Sequence, residues 1–140
     1  MSKVAVVYWS GTGNTAAMAA AVAEGAKSAG AEVSVFGPSE FNSSMLADYD
    51  GVAFGCPAMG AEVLEENEYE PMFIDVEGSL SGKKIALFGS YGWGDGQWMR
   101  DWEERANAAG ARLAYECVMA NNAPNDDDLE ECKSLGRSIV

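Results

Sequence analysis

Short apolar runs, rich in valine, isoleucine, alanine and phenylalanine, recur along the chain between glycine, proline and polar positions. Most of these runs are continuous and do not alternate with polar residues, a pattern typical of strands buried on both faces of a parallel sheet. We therefore predict five strands, at residues 4–9, 32–36, 51–56, 84–89 and 112–118.

Between the predicted strands, apolar residues recur with the spacing of a helix. Met18, Val22 and Ala26 share one face of a helix over residues 15–29, and Gly30 is a suitable stop. Further helices are predicted at residues 68–76, at 98–109 and from 126 towards 139, with a helical turn at 45–47. Strands that alternate with helices imply parallel pairing, right-handed crossovers and helices on both faces of the sheet. We predict one α/β domain over residues 1–140.

The charge balance narrows the range of partners. Nine lysines and arginines stand against 22 aspartates and glutamates, which gives a formal net charge of −13. Such a chain repels nucleic acid and anionic membranes and suits basic protein partners. No apolar run approaches the roughly 20 residues that a membrane-spanning helix needs.

The absence of histidine and the spacing of the cysteines argue against general-base catalysis, a metal site and a disulfide framework. Without histidine the chain lacks the usual general base and the commonest metal ligand. Cys56, Cys117 and Cys132 form no CxxC pair, and their odd number argues against a disulfide framework. We expect reduced thiols in a cytoplasmic protein, with no catalytic residue and no metal site.

Ligands of parallel α/β sheets bind beyond the carboxyl ends of the strands, where the strand order reverses. The candidate binding loops therefore follow strands one, three and four, at residues 10–15, 57–62 and 90–95. The first loop offers three hydroxyls, from Ser10, Thr12 and Thr15. Its two glycines, Gly11 and Gly13, let several backbone N–H groups converge. The start of a helix at the same place completes a phosphate cradle that needs no lysine or arginine.

The sequence of this loop matches other kinds of phosphate-binding motif less well. A nucleotide-triphosphate loop needs Gly-Lys-Ser/Thr, but Gly13 is followed by Asn14. The dinucleotide pattern GxGxxA does begin at Gly11, with Glu40 as a candidate ribose ligand, but a second mononucleotide-binding half is lacking. A receiver domain needs an aspartate at the end of the third strand, where Cys56 stands. A tight strand-to-helix turn without a ligand is the remaining structural interpretation.

Large apolar side chains in the other two loops suggest a flat ring as part of the ligand. Met59, Tyr91 and Trp93 lie at one edge of the predicted sheet, where a conjugated ring could lie between them. The alternative is that Trp93 packs inward. The remaining tryptophans are interpreted as packing residues: Trp9, Trp98 and Trp102.

These loops resemble those of flavodoxins, in particular the short-chain type of anaerobic bacteria. The resemblance is carried by YWSGTGNT, GCPAMGAEVLEENEYEP and GKKIALFGSYGWGDGQWMRDWEER, in this order on the predicted loops. It covers essentially the whole chain, and no long insertion divides the predicted fifth strand. It implies a flavodoxin-like three-layer α/β sandwich whose five parallel strands stand in the order 2-1-3-4-5.

The resemblance also implies which residues bind the cofactor FMN. The first loop, helped by Ser90, would hold the phosphate, and Met59 and Trp93 would flank the isoalloxazine ring. The peptide between Met59 and Gly60 would contact the ring nitrogen that gains a proton on one-electron reduction, and Glu62 would accept from the pyrimidine edge. The implied cofactor-binding residues are Ser10, Gly11, Thr12, Gly13, Asn14, Thr15, Ala58, Met59, Gly60, Glu62, Ser90, Tyr91, Gly92, Trp93 and Gly94.

The function implied by the resemblance is low-potential electron transfer, with FMN cycling mainly between semiquinone and hydroquinone. We expect a monomer that meets basic redox proteins such as reductases and ferredoxin-dependent enzymes. We also expect an acidic cluster that disfavours the anionic reduced ring, formed by Glu62, Glu65, Glu66, Glu68 and Glu70. Two other functions stay open. One is an FMN-dependent NAD(P)H oxidoreductase, with Arg100 as a nearby cation, and the other is a non-redox protein-binding module.

Overall fold

The strands of the sheet pair in parallel. The computed structural model describes residues 2–11, 13–59, 63–92 and 94–140. The strands are β1 (Lys3–Tyr8), β2 (Glu32–Phe36), β3 (Gly51–Gly55), β4 (Lys84–Tyr91), β5 (Arg112–Leu113) and β6 (Val118–Asn121). Their order is β2-β1-β3-β4-β5, and β6 also pairs with β4. The predicted order 2-1-3-4-5 is confirmed, and the first four strands lie close to their predicted bounds.

The fifth strand is divided, so the prediction of one continuous strand over residues 112–118 was wrong. β5 pairs with the start of β4, and β6 pairs with its end. Between these pairings β4 advances from Ile85 to Phe88, whereas the edge chain advances further, from Leu113 to Val118. The additional residues have no partner position on β4, so the chain leaves the ladder between β5 and β6.

Two helices cover each face of the sheet. The helices are α1 (Asn14–Ser28), α2 (Tyr69–Glu77), α3 (Gln97–Ala108) and α4 (Asp126–Ser138). α1 and α4 pack on one face, and α2 and α3 pack on the other. Two 3₁₀ turns, Pro38–Glu40 and Ser43–Asp48, lie between β2 and β3. The predicted three-layer sandwich is therefore confirmed.

The core positions predicted from helical spacing are buried. Met18, Val22 and Ala26 have no exposed surface, and Trp98 and Trp102 are each only 2% exposed. The first three pack in the layer between the sheet and α1, whereas the two tryptophans belong to the opposite layer. Each face of the sheet thus has its own apolar core.

α1 and α4 approach each other so closely that glycine is required at the contact. A Cβ on Gly25 would lie 2.0 Å from the carbonyl oxygen of Lys133, and a Cβ on Gly136 would lie 2.0 Å from that of Val22. Both distances are far below van der Waals contact, which explains two glycines in helix interiors, where this residue lowers stability. The contact fixes the position of α1, which begins at Asn14 beyond the carboxyl end of β1.

Gly136→Ala tests this close approach. The added methyl group collides with the Val22 carbonyl, so we expect a loss of about 1–3 kcal/mol in the free energy of unfolding, measured by urea denaturation. Gly78→Ala is the matched control, because Gly78 has right-handed helical dihedrals and open space at its Cβ position. The control should be as stable as the wild type or slightly more stable. Equal stability of the two variants would contradict the backbone contact.

Candidate functional site

The loops that follow β1, β3 and β4 surround one cleft at the carboxyl edge of the sheet. The cleft has a volume of about 220 Å³. Its described lining consists of Trp9, Ser10, Gly11, Asn14, Thr15, Pro57, Ala58, Met59, Ser90, Tyr91, Gly92 and Asn122. All three loops singled out in the sequence therefore contribute to the same cleft, and no lysine or arginine is found in this described lining.

Not every residue implied by the resemblance lines the cleft. Gly13 is the residue that precedes the first turn of α1, and Gly94 lies in the loop before α3. Four of the predicted positions lie outside the described residues: Thr12, Gly60, Glu62 and Trp93. For these four, the predicted contacts with a cofactor stay predictions.

The start of α1 presents free donors to the cleft. Gly13 has φ 94°, a conformation that favours glycine. Ser10 Oγ accepts the N–H groups of Gly13 at 3.1 Å and Ala16 at 3.3 Å. The N–H groups of Asn14 and Thr15, in contrast, meet no acceptor among the described residues. Since they lie at the positive end of the helix dipole, they suit an anion.

Two buried hydroxyls close the base of the cleft. Thr15 Oγ1 and Ser90 Oγ lie 2.9 Å apart, and the two residues are 1% and 4% exposed. The main chain beyond β3 stays paired with β4 here, since Ala58 N–H donates to the Ser90 carbonyl at 3.0 Å. One hydroxyl of the pair donates to the other, which leaves one hydroxyl proton for a ligand.

Aromatic and apolar side chains form the walls. Tyr91 is half-buried and packs against the Trp98 ring, with 5.4 Å between centroids. Trp9 was interpreted as a packing residue, and it does contact the core beneath α2 and α3, but it also lines the cleft. The interpretation of Trp9 was thus incomplete. A cleft with polar groups at one end and rings beside them matches a ligand that joins a phosphate to a flat ring.

Asn122 is the lining residue that sequence reasoning missed. It follows β6, has φ 60°, and donates its N–H to the Tyr91 carbonyl at 2.7 Å. Asparagine adopts this left-handed conformation more readily than most residues. The signal that could have found it is its position directly after the last strand, at the same sheet edge as the other loops.

The second loop is closed at its base by a short antiparallel pair. Met59 N–H donates to the Val63 carbonyl at 2.8 Å, and Val63 N–H donates to the Met59 carbonyl at 3.0 Å. Further along, Glu65 N–H donates to Cys56 Sγ at 3.4 Å. Burial raises the pKa of the Cys56 thiol to about 12, so this cysteine is a protonated anchor and not a nucleophile.

Glu65, a member of the predicted acidic cluster, is a buried carboxylate with a structural role. The residue is only 5% exposed, and its carboxylate accepts the N–H groups of the three residues that lead into α2: Asn67, Glu68 and Tyr69, at 2.7–2.9 Å. Burial alone would raise its pKa, but these hydrogen bonds outweigh burial and hold the pKa below its usual value. Glu65 is therefore a structural cap.

Glu70 is likewise not a free charge of this cluster. The Arg105 guanidinium donates to both of its carboxylate oxygens, at 2.9 Å and 2.6 Å, and also bonds to Glu77. Only Glu66 and Glu68 remain as exposed carboxylates among the described members of the cluster, and Glu68 accepts a hydrogen bond from Trp9. Two of its described members thus have structural partners, and the effect of the cluster on the reduced ring stays a prediction.

The fold and the cleft define a doubly wound α/β protein with a phosphate-suited ligand site at the sheet edge. The flavodoxin family profile matches residues 6–136. The chain therefore belongs to the flavodoxin family, and its cofactor is FMN. Members of this family are electron-transfer proteins. No group of metal-ligating side chains and no helix able to span a membrane occurs in the described ranges.

Flavodoxins of two bacteria are similar in sequence to this chain over nearly its whole length. The chain is 46% identical to a flavodoxin of Clostridium beijerinckii over 135 residues, which covers 96% of this chain and 97% of the relative. It is 45% identical to a flavodoxin of Megasphaera elsdenii, with 98% of each covered. The solution structure of two-electron reduced Megasphaera elsdenii flavodoxin superposes with a TM-score of 0.89, covering 97% of both chains.

Glu65→Gln tests the role of the buried carboxylate. Gln offers one oxygen and no charge to three N–H groups, so we expect a loss of about 2 kcal/mol in the free energy of unfolding at neutral pH. Because the folded pKa is lowered, the wild-type advantage is complete above the unfolded pKa of about 4.3 and disappears as the pH falls through the folded value.

Glu66→Gln removes the same charge from an exposed neighbour and should change stability by less than about 0.5 kcal/mol. Urea denaturation of both variants between neutral and acidic pH makes the comparison. A Glu65→Gln deficit that persists unchanged in acid would contradict the cap.

Proposed function

We propose that this chain is a low-potential one-electron carrier that holds FMN non-covalently in the cleft at the carboxyl edge of the sheet. The observation that carries the proposal is the start of α1, where two N–H groups meet no acceptor among the described residues, directly beside a cleft with aromatic walls. When bound, FMN supplies the one-electron chemistry, and we propose that the carrier exchanges electrons mainly between the one-electron-reduced and fully reduced forms.

The first loop would hold the FMN phosphate. Asn14 and Thr15 offer backbone N–H groups, and Ser10 keeps its own hydroxyl proton because its oxygen is the acceptor of two N–H groups. The Thr15 and Ser90 pair adds a further proton. Each such bond to a charged ligand contributes about 1.5–3 kcal/mol. By resemblance, the loop is completed by Gly11, Thr12 and Gly13.

The ring would lie between Met59 and Trp93. The Met59 main chain is already bonded to Val63 through both its N–H and its carbonyl, which fixes the direction of its side chain. The Met59 carbonyl already accepts the Val63 N–H. If the peptide between Met59 and Gly60 turned so that this carbonyl met the ring nitrogen, the hydrogen bond to Val63 would be lost. By resemblance, the ring site is completed by Ala58, Gly60, Glu62, Tyr91, Gly92 and Gly94.

The acidic body of the chain would lower the potential and select the partners. Reduction adds charge to a ligand inside a protein of net charge −13, which carboxylates disfavour. Glu66, Asp126 and Asp127 are exposed in loops or first turns at the carboxyl edge. Basic redox proteins would dock there through small, transient interfaces. We propose a monomer in the cytoplasm, which suits its three free thiols.

Thr15→Val tests the phosphate site. The substitution keeps the volume but removes the hydroxyl, so FMN binding to the apoprotein should weaken by about 1.5–3 kcal/mol, or roughly 10- to 150-fold. Riboflavin, which has no phosphate, should bind the wild type and the variant almost equally. Thr15→Ser restores the hydroxyl and should restore FMN affinity. Equal losses for FMN and riboflavin would contradict this role.

Mixing the FMN-loaded protein with NADPH or NADH distinguishes a carrier from an oxidoreductase. Arg100, the candidate cation for a nicotinamide phosphate, is bonded to Asp95 at 3.0 Å. We therefore expect no loss of the FMN absorption without an added reductase. Direct bleaching would favour the enzyme, and a protein that takes up no FMN would favour the protein-binding module.

A further inference from the structure

Trp9 connects the first loop to the segment that precedes α2. Its indole N–H donates to Glu68 Oε2 at 3.0 Å, across 59 positions of the chain. The six-membered part of the ring lies against Gly11, where a Cβ would come within 3.1 Å of Cη2. Since Trp9 also lines the cleft, one half-buried side chain forms a wall of the site and contacts both segments.

The Glu68 end of this contact is held in place. Glu68 N–H donates to Glu65 Oε1 at 2.7 Å, and Glu65 is anchored through its own N–H to Sγ of Cys56, the residue directly after β3. Next along the chain, the Tyr69 hydroxyl donates to the Val7 carbonyl of β1 at 2.7 Å. The carboxylate that meets Trp9 therefore extends from a segment fixed to two central strands.

We propose that the hydrogen bond between Trp9 and Glu68 positions the indole as a wall of the cofactor cleft, a role that rests on the FMN site proposed above. A carboxylate acceptor makes this bond stronger than one between neutral groups. Without the bond, the ring keeps its contact with Gly11 but loses the polar contact that sets its orientation. It can then turn into the space that the cofactor needs. Trp9 and Glu68 are positioning residues in this account.

Three substitutions separate the hydrogen bond from the ring and from the charge. Glu68→Ala removes the acceptor, and Trp9→Phe removes the donor but keeps an aromatic ring. Each should raise the FMN dissociation constant of the apoprotein about tenfold. The double variant should bind no more weakly than the weaker single variant, because both changes remove the same bond. Glu68→Gln keeps an oxygen acceptor and should restore most of the affinity.

Glu104→Ala is the control, since it removes an exposed carboxylate of α3 that does not line the cleft, and it should leave the dissociation constant unchanged. A second readout is the visible circular dichroism of bound FMN, which reports the asymmetry of the cleft. Its band should change in Glu68→Ala and Trp9→Phe and return in Glu68→Gln. Urea denaturation of each apoprotein identifies variants that fail merely because they fold poorly.

The outcomes separate this inference from the proposed function. Wild-type protein that takes up no FMN would overturn both. If the wild type binds FMN but Glu68→Ala and Trp9→Phe keep its affinity and dichroism, only the positioning role falls. The same holds if losses in the two single variants add in the double variant, or if Glu68→Gln behaves like Glu68→Ala.

Discussion

The register of β1, β3 and β4 at the carboxyl edge of the sheet is the constraint on which the site depends. Tyr8 pairs with Gly55, and Gly55 pairs with Phe88, so β1 and β3 end at one level, from which β4 continues to Tyr91 along β6. Gly55 is required at this level because the Phe88 ring occupies the place of its Cβ, within 2.2 Å. The loops after these strands therefore leave side by side, and α1 begins beside the cleft that they form.

The site offers neutral N–H and hydroxyl groups to an anion, whereas Arg105 and Lys83 form their bonds away from the cleft. Arg105 bonds to Glu70 and Glu77 and packs over the Phe73 ring at 4.9 Å. Lys83 donates to backbone carbonyls at the opposite end of the sheet. N–H groups and hydroxyls can hold a phosphate without adding positive charge, so the negative field of the chain still acts on the ring. In the proposed function, this division would let an acidic protein bind an anionic cofactor and still disfavour its reduced, more negative form.

The fold and the general location of the site could be predicted because both depend on local patterns. Continuous apolar runs marked the first four strands, and glycines with hydroxyls marked the loop at Ser10. The division between Leu113 and Val118 could not be predicted, since it arises from a mismatch with β4 that only the pairing reveals. The capping role of Glu65 was missed for a similar reason: its neighbours in the sequence are acidic and polar, and only the folded loop turns three N–H groups towards it.

The contact between Trp9 and Glu68 could not be predicted from the sequence either. An aromatic residue at the end of a strand is usually a core residue, and Trp9 does pack against the core. Its second contact, with Glu68, joins positions far apart in the chain, and no periodicity links them. Trp9 and Asn122 thus share one property: each has a partner in another loop at the same sheet edge.

Stepwise reduction of the FMN-loaded protein, followed by absorption at controlled potential, tests the central claim most directly. The account predicts one FMN per chain and two separated one-electron steps, with the second step at a lower potential than in free FMN. A single two-electron step at the potential of free FMN, or a chain that takes up no FMN, would contradict it.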